Sequence, residues 1–147
     1  MERYILAVLP PQDIGDFVGI YKEKYSGRRH HALPPHITIY PPFYNRYSTE
    51  TELVVSLRDA FTLTKPGRVN FDSIGYFSGD NNVVYLQPDQ KSSEYLLEIF
   101  TAAATLLSDN SENFHPHVTI VKNVPLDELS SVKKKLEAEQ INLSFLV

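Results

Sequence analysis

The sequence predicts an α+β fold in which helices cover sheet, and three observations predict it. Short or alternating apolar runs take turns with segments whose apolar residues recur every three or four positions. The order is strand, helix, strand, helix, strand, strand, helix, strand, helix, strand. Clusters of turn-forming residues separate these segments. Finally, a strand-helix-loop-strand unit ending in Pro35-His36-Ile37-Thr38-Ile39 is echoed by one ending in Pro116-His117-Val118-Thr119-Ile120.

The elements follow in order. Tyr4 to Leu9 reads as a buried strand. Ile14, Phe17, Val18 and Tyr21 fall at helical spacing, weakened by Gly15 and Gly19. Ser26 to Pro35 reads as a loop, and His36 to Tyr40 alternates as a strand that ends at Pro41-Pro42. Thr49 with Glu52 makes a capping box for a helix whose face is Leu53, Leu57, Ala60 and Phe61, stopping before Lys65-Pro66-Gly67. Arg68 to Phe77 and Val83 to Leu86 are strands joined by a hairpin turn at Ser78 to Asn82. Leu96, Phe100, Ala103, Ala104 and Leu107 mark the clearest amphipathic helix, followed by a polar loop from Ser108 to Asn113. His115 to Lys122 is strand-like, Leu129, Val132 and Leu136 mark a last helix, and Ile141, Leu143 and Phe145 alternate as a final strand.

A chain of 147 residues with 42% hydrophobic and 22% charged residues fits one soluble globular domain, 1–147, or two small lobes sharing a core. Its formal net charge of -4 excludes a global positive field that would draw it to duplex DNA, so a polyanion must be met by a local site. The absence of cysteine excludes a disulfide, a thiolate metal site and a cysteine nucleophile. The apolar run Tyr4 to Leu9 is too short for a signal peptide or a membrane span, so a cytoplasmic monomer without membrane partners is expected. The chain stops inside the apolar stretch Ile141 to Val147 with no polar tail, and a missing C-terminal segment is expected.

The two His-x-Thr units carry the chemistry. Side chains alternate along a strand, so His36 and Thr38 share one face while Ile37 and Ile39 take the other, and His117 and Thr119 stand likewise against Val118 and Ile120. The apolar faces pack on helices and leave imidazole and hydroxyl toward an open cleft. Cleaving a phosphodiester without metal needs one group to take a proton and another to give one. An imidazole with a pKa near about 6.5 can do either. Threonine hydroxyls can donate to the nonbridging oxygens, where negative charge must be held. With five His and eight Thr, two His-x-Thr units arise by chance about 3% of the time, so the pair in matching contexts carries weight where a single unit would not.

These paired strands resemble the two-histidine phosphoesterase superfamily, also called 2′-5′ RNA ligase-like or cyclic phosphodiesterase-like, and the resemblance covers nearly the whole chain. It implies a bilobal, pseudo-twofold fold: two α/β lobes, each with a small sheet flanked by helices, facing each other across a central cleft. It also implies that His36 and His117 are the catalytic pair and that Thr38 and Thr119 bind the phosphate. No metal and no cofactor is called for. The first motif runs on as Ile39-Tyr40-Pro41-Pro42-Phe43, where the bacterial ligase branch commonly has Leu-x-Phe-Leu-Gly, and the chain is shorter than that branch. No substrate is therefore carried over from one branch.

Other residues have plainer readings. Arg28, Arg29, His30 and His31 could guide a phosphate backbone, although solvated loop charges are the commoner explanation. His115 reads as structural or surface, and Lys133 to Lys135 as a solvated helix face. Tyr40 continues the His36-Thr38 face and is expected to stack a substrate base. The expected activity is opening of a 2′,3′-cyclic phosphate or a 2′-5′ linkage in a nucleotide or single-stranded RNA end. A binding module with the same cleft but little turnover is the alternative. A zinc protein built on five histidines is weak, because no carboxylate lies at ligand spacing.

Overall fold

Each apolar pattern takes the backbone form its period favours, and the computed structural model describes this for residues 2–26, 33–79, 81–107 and 114–147. The elements are β1 (Arg3–Val8), α1 (Gln12–Ser26), β2 (Ile37–Tyr44), α2 (Glu50–Ala60), β3 (Arg68–Phe77), β4 (Val83–Pro88), α3 (Gln90–Leu107), β5 (Val118–Val121), α4 (Leu129–Glu137) and β6 (Leu143–Leu146). The expected order of strands and helices holds. Helix α1 forms despite Gly15 and Gly19, because Ile14 and Val18 are buried and the helix packs on β5. That burial outweighs the roughly 1 kcal/mol each glycine costs a helix.

Local signals anchor the other helices. Thr49 Oγ1 accepts from the Glu52 N–H at 3.1 Å, and the Glu52 carboxylate accepts from the Ser48 N–H at 2.9 Å, one residue further back than a capping box requires. At the start of α3, Asp89 accepts from the Ser92 N–H at 2.8 Å. The buried Ser92 hydroxyl accepts from the Asn70 N–H of β3 at 2.8 Å, which ties the helix end to the sheet.

The strands form one sheet in the order β1-β2-β5-β4-β3-β6, with every neighbouring pair antiparallel. The two motif strands, far apart in sequence, are thereby neighbours, and Ile37 pairs with Val118 across the seam between them. Strand β2 does not end at Pro41-Pro42 as expected but continues to Tyr44 along β1. Strand β5 meets β2 at Ile37 and does not follow it further, so the prolines, which lack an N–H, lie where one side of β2 has no neighbour among the described residues.

Both motif strands carry the same irregularity. On β2, Thr38 pairs with Ala7 and Tyr40 with Leu6, so one residue, Ile39, is extra. On β5, Thr119 pairs with Tyr85 and Val121 with Val84, so Ile120 is extra. Each β-bulge directly follows the motif threonine and breaks the alternation of faces there.

Ile37, Ile39, Val118 and Ile120 enter one core with Ile14 and Val18 of α1, Leu96 and Ile99 of α3, and Val132 and Leu136 of α4. Each such side chain contributes on the order of 1.5–3 kcal/mol by leaving water. A smaller core joins Tyr40 and Phe43 of β2 to Leu53 of α2 and Ala103 of α3. The result is the α+β layering expected, built on a single antiparallel sheet. Among the described residues no helix is long and apolar enough to cross a membrane.

Candidate active site

The strand faces turned away from the core border a cleft of about 960 Å³, and His36, Thr38, His117 and Thr119 all line it. The Ile37–Val118 pair sets their arrangement. One step along the antiparallel ladder in either direction brings His36 opposite Thr119 and Thr38 opposite His117. Directly opposed residues in such a ladder lie about 4.5–5.5 Å apart and diagonal ones about 7–8 Å. The histidines thus occupy one diagonal of a small quadrilateral and the threonines the other. His36 and His117 stand immediately ahead of their strands, one residue outside the ladders.

Both imidazoles are held in the same way. His36 Nδ1 lies 2.8 Å from the Pro34 carbonyl oxygen, and His117 Nδ1 lies 2.8 Å from that of His115. A carbonyl only accepts, so Nδ1 carries the hydrogen in each ring and Nε2 is the nitrogen available for other chemistry. The proline in between, Pro35 or Pro116, has a fixed φ and holds the carbonyl two residues back in place.

The environment of His117 is apolar and aromatic. Its ring centroid lies 5.3 Å from that of Phe77 and 5.1 Å from that of Tyr85. Tyr85 lies across Gly75, its partner on β3, so closely that a Cβ at Gly75 would run into the tyrosine ring. Burial pushes the His117 imidazole below its ordinary value near 6.5. The bond to the His115 carbonyl opposes this, while the charges of His115, His36 and Lys122 add to the lowering. At neutral pH His117 is therefore a neutral ring with its lone pair on Nε2.

The structure brings together four of the five residues singled out in the sequence. Tyr40 is the exception and its expected role is corrected: the bulge at Ile39 turns it into the smaller core. There it is fully buried, stacked on Phe100 at 6.2 Å and edge-on to Phe43 at 5.8 Å, and presents no face to a base. His115 is a neighbour of the site, with its carbonyl bonded to His117 and its ring 5.0 Å from Phe77. Lys133 pairs with Glu137 along α4 at 3.1 Å and lies over Tyr76. The sequence readings for Arg28, Arg29, His30 and His31, and for the loop from Ser108 to Asn113, lie outside the described residues.

Sequence reasoning missed Phe77, Lys22, Lys122 and Asn123, which also line the cleft. Phe77 ends β3 and is partly exposed, which makes it an aromatic surface beside His117. Lys122 follows its motif threonine by three residues, a spacing that would point away from the cleft in a regular strand. Among the described residues the lining includes no carboxylate, although the chain as a whole carries a net charge of -4. No group of three or more His, Asp or Glu side chains among the described residues is placed to share a metal ion.

An antiparallel sheet under helices, with two His-x-Thr strands side by side at one cleft, defines the class of two-histidine phosphoesterases. The sequence model of the 2′-5′ RNA ligase superfamily matches residues 10–147, and the chain belongs to that superfamily. A protein of Geobacillus sp. (strain WCH70) is 30% identical over 143 residues, covering 95% of this chain and 80% of that one. One of Oceanobacillus iheyensis is 26% identical over 144 residues, covering 96% and 82%. Both are named for an inferred phosphoesterase activity. The solved structure of Usb1 from Kluyveromyces marxianus has a similar fold, with a TM-score of 0.54 over 97% of this chain and 88% of that one at 13% identity.

Proposed function

We propose that this protein is a metal-independent phosphodiesterase that opens 2′,3′-cyclic phosphates or 2′-5′ linkages in nucleotides or single-stranded RNA ends, with His36 and His117 as its acid-base pair. The observation that carries the reading is the shared hydrogen bond from each Nδ1 to the carbonyl two residues back. That bond suits both protonation states. A neutral ring keeps its Nε2 lone pair for a proton, and a protonated ring offers the Nε2 hydrogen.

His117, neutral and desolvated, takes the proton from the attacking water or hydroxyl as its oxygen bonds to phosphorus. The bond from phosphorus to the leaving ribose oxygen breaks, and His36 in its protonated form gives that oxygen a proton. Thr38 and Thr119 donate to the nonbridging oxygens. A phosphate at the middle of the quadrilateral has a proton carrier on two sides and a hydroxyl on the other two.

The antiparallel meeting of β2 and β5 and the bulge after each threonine support reading residues 1–147 as one domain of two lobes about an approximate twofold axis. Conversion of 2′,3′-cyclic nucleotides to nucleoside monophosphates and of 2′-5′-linked oligonucleotides to shorter fragments, followed chromatographically with and without EDTA, tests the function. His36→Ala and His117→Ala should each lower the rate by at least about 100-fold, and Thr38→Ala or Thr119→Ala by less. A His36→Ala protein with near-full activity would sink the assignment. Binding without turnover in the unaltered protein would reduce it to a nucleotide-binding cleft.

A further inference from the structure

At one end of the cleft an apolar floor meets a polar rim. Phe77, the last residue of β3, pairs directly with Val83, the first of β4, and both line the cleft. Directly paired residues of an antiparallel ladder project to the same side, so the two make one continuous apolar patch. Phe77 is braced by three rings, with centroids at 4.5 Å for Tyr85, 5.0 Å for His115 and 5.3 Å for His117. It is nonetheless 39% exposed.

Two carboxamides border that patch. Asn81 belongs to the turn that joins β3 to β4, Asn123 follows β5 by two residues, and both line the cleft. Their neighbours Asn82 and Val124 are bonded to each other twice. The Asn82 side-chain amide donates to the Val124 carbonyl at 2.9 Å, and the Val124 N–H donates to the Asn82 carbonyl at 3.2 Å. The Asn82 side-chain oxygen also accepts from the Gly79 N–H at 3.1 Å, which closes the turn. These bonds hold the segments of Asn81 and Asn123 together. Asn123 stands in the left-handed region, φ 58°, which asparagine tolerates better than most residues. Among the described residues no hydrogen bond engages the carboxamide of Asn81 or Asn123.

A flat apolar surface bordered by groups that both donate and accept suits one part of a nucleotide. Phosphate and ribose present charge and hydroxyls, whereas the base presents an apolar face and a polar edge. Every base can stack on an aromatic ring, and its edge sets a donor beside an acceptor. A carboxamide offers the complementary pair in either sense. Phe77 adjoins His117, so a base resting on it leaves the ribose to span the step to a phosphate between the imidazoles.

We infer that Phe77 and Val83 are the floor, and Asn81 and Asn123 the rim, of a nucleobase subsite. The substrate is then a nucleoside phosphate whose base stacks on Phe77, and not a base-free cyclic phosphodiester. Because a carboxamide meets either sense of the donor-acceptor pair, the subsite separates a base from none more than one base from another.

This inference rests on the phosphodiesterase reading above, and a binding measurement separates the two. The ligands are adenosine 2′-phosphate and 1,4-anhydroribitol 2-phosphate, the same sugar phosphate with hydrogen in place of the base. Calorimetric titration with them needs no turnover. The unaltered protein should bind the nucleotide about tenfold more tightly. Phe77→Leu keeps an apolar side chain but no stacking face, and should bring that ratio to within about twofold, while Phe77→Tyr should keep it. Asn123→Gly removes the carboxamide at a backbone position that glycine accepts, and should lower the ratio about threefold. The kcat/KM ratio for the cyclic phosphates with and without a base should move in parallel. Equal binding of both ligands by the unaltered protein, or a ratio unchanged in both Phe77→Leu and Asn123→Gly, would overturn the subsite. An intact binding ratio with no turnover of any cyclic phosphate would overturn the catalytic reading instead and leave the subsite standing.

Discussion

Ile37 and Val118 face each other across the seam where β2 meets β5, both fully buried, and this pair sets the register of both motifs. Truncating one side opens a cavity at the point where the halves of the site join. Ile37→Ala should cost about 2–5 kcal/mol in urea denaturation, with a lower midpoint and an unchanged m-value. A loss below about 1 kcal/mol would mean that the seam does not hold the sheet together.

Gly75 offers a test of how tightly His117 is held. A methyl group there meets the ring of Tyr85, and that ring is hemmed in by Phe77 at 4.5 Å, His115 at 5.4 Å and His117 at 5.1 Å. Gly75→Ala should displace the cluster, cost about 1–3 kcal/mol and lower kcat more than it raises KM. A variant with unchanged kcat would show that Tyr85 moves without carrying His117 along.

The α2 cap lies far from the chemistry and separates stability from activity. Thr49→Ala removes the oxygen that accepts from the Glu52 N–H, which should cost about 1 kcal/mol while leaving kcat/KM unchanged below the melting range. Thermal melts and initial rates on the same preparation check it. A fall in rate at a temperature where the variant is fully folded would contradict the separation.

Local patterns made much of this legible in the sequence. The order of the elements follows from spacing within single segments, and the capping pair Thr49 and Glu52 needs only neighbours in sequence. Four of the cleft residues were visible because a strand's period of two places His36 with Thr38, and His117 with Thr119, before any partner strand is known. Tyr40 was misread because its facing depends on an extra residue in β2, and that bulge exists only against β1. Lys122 escaped for the mirror reason, since the bulge at Ile120 is a property of the pairing with β4. Lys22 belongs to a helix whose approach to β5 no local period encodes. The extension of β2 past Pro41-Pro42 likewise depended on which side of the strand would lack a neighbour.

On the proposed mechanism His117 enters both catalysis and stability through one equilibrium, which makes both depend on pH. Its folded pKa is lowered, chiefly by burial, so its neutral form is the one that the fold favours. In catalysis the base must be neutral, and the acid limb of the kcat/KM profile should therefore fall below about 6.5, the value for an unperturbed imidazole. In stability the unfolded chain takes up a proton at His117 before the folded one does. The contribution of this residue is therefore fully present above about 6.5 and is lost as pH falls through the lowered folded value. His117→Gln should remove that contribution, and its denaturation midpoint should change less than that of the unaltered protein as pH falls from about 6.5. An NMR titration of the His117 Cε1 resonance reads the same equilibrium directly, and imidazole nitrogen shifts should report the hydrogen on Nδ1 at neutral pH. A neutral ring with its hydrogen on Nε2 would remove this residue as the base and leave His36 to take the proton, and a His117 pKa at or above about 6.5 would overturn the claim that burial favours its neutral form.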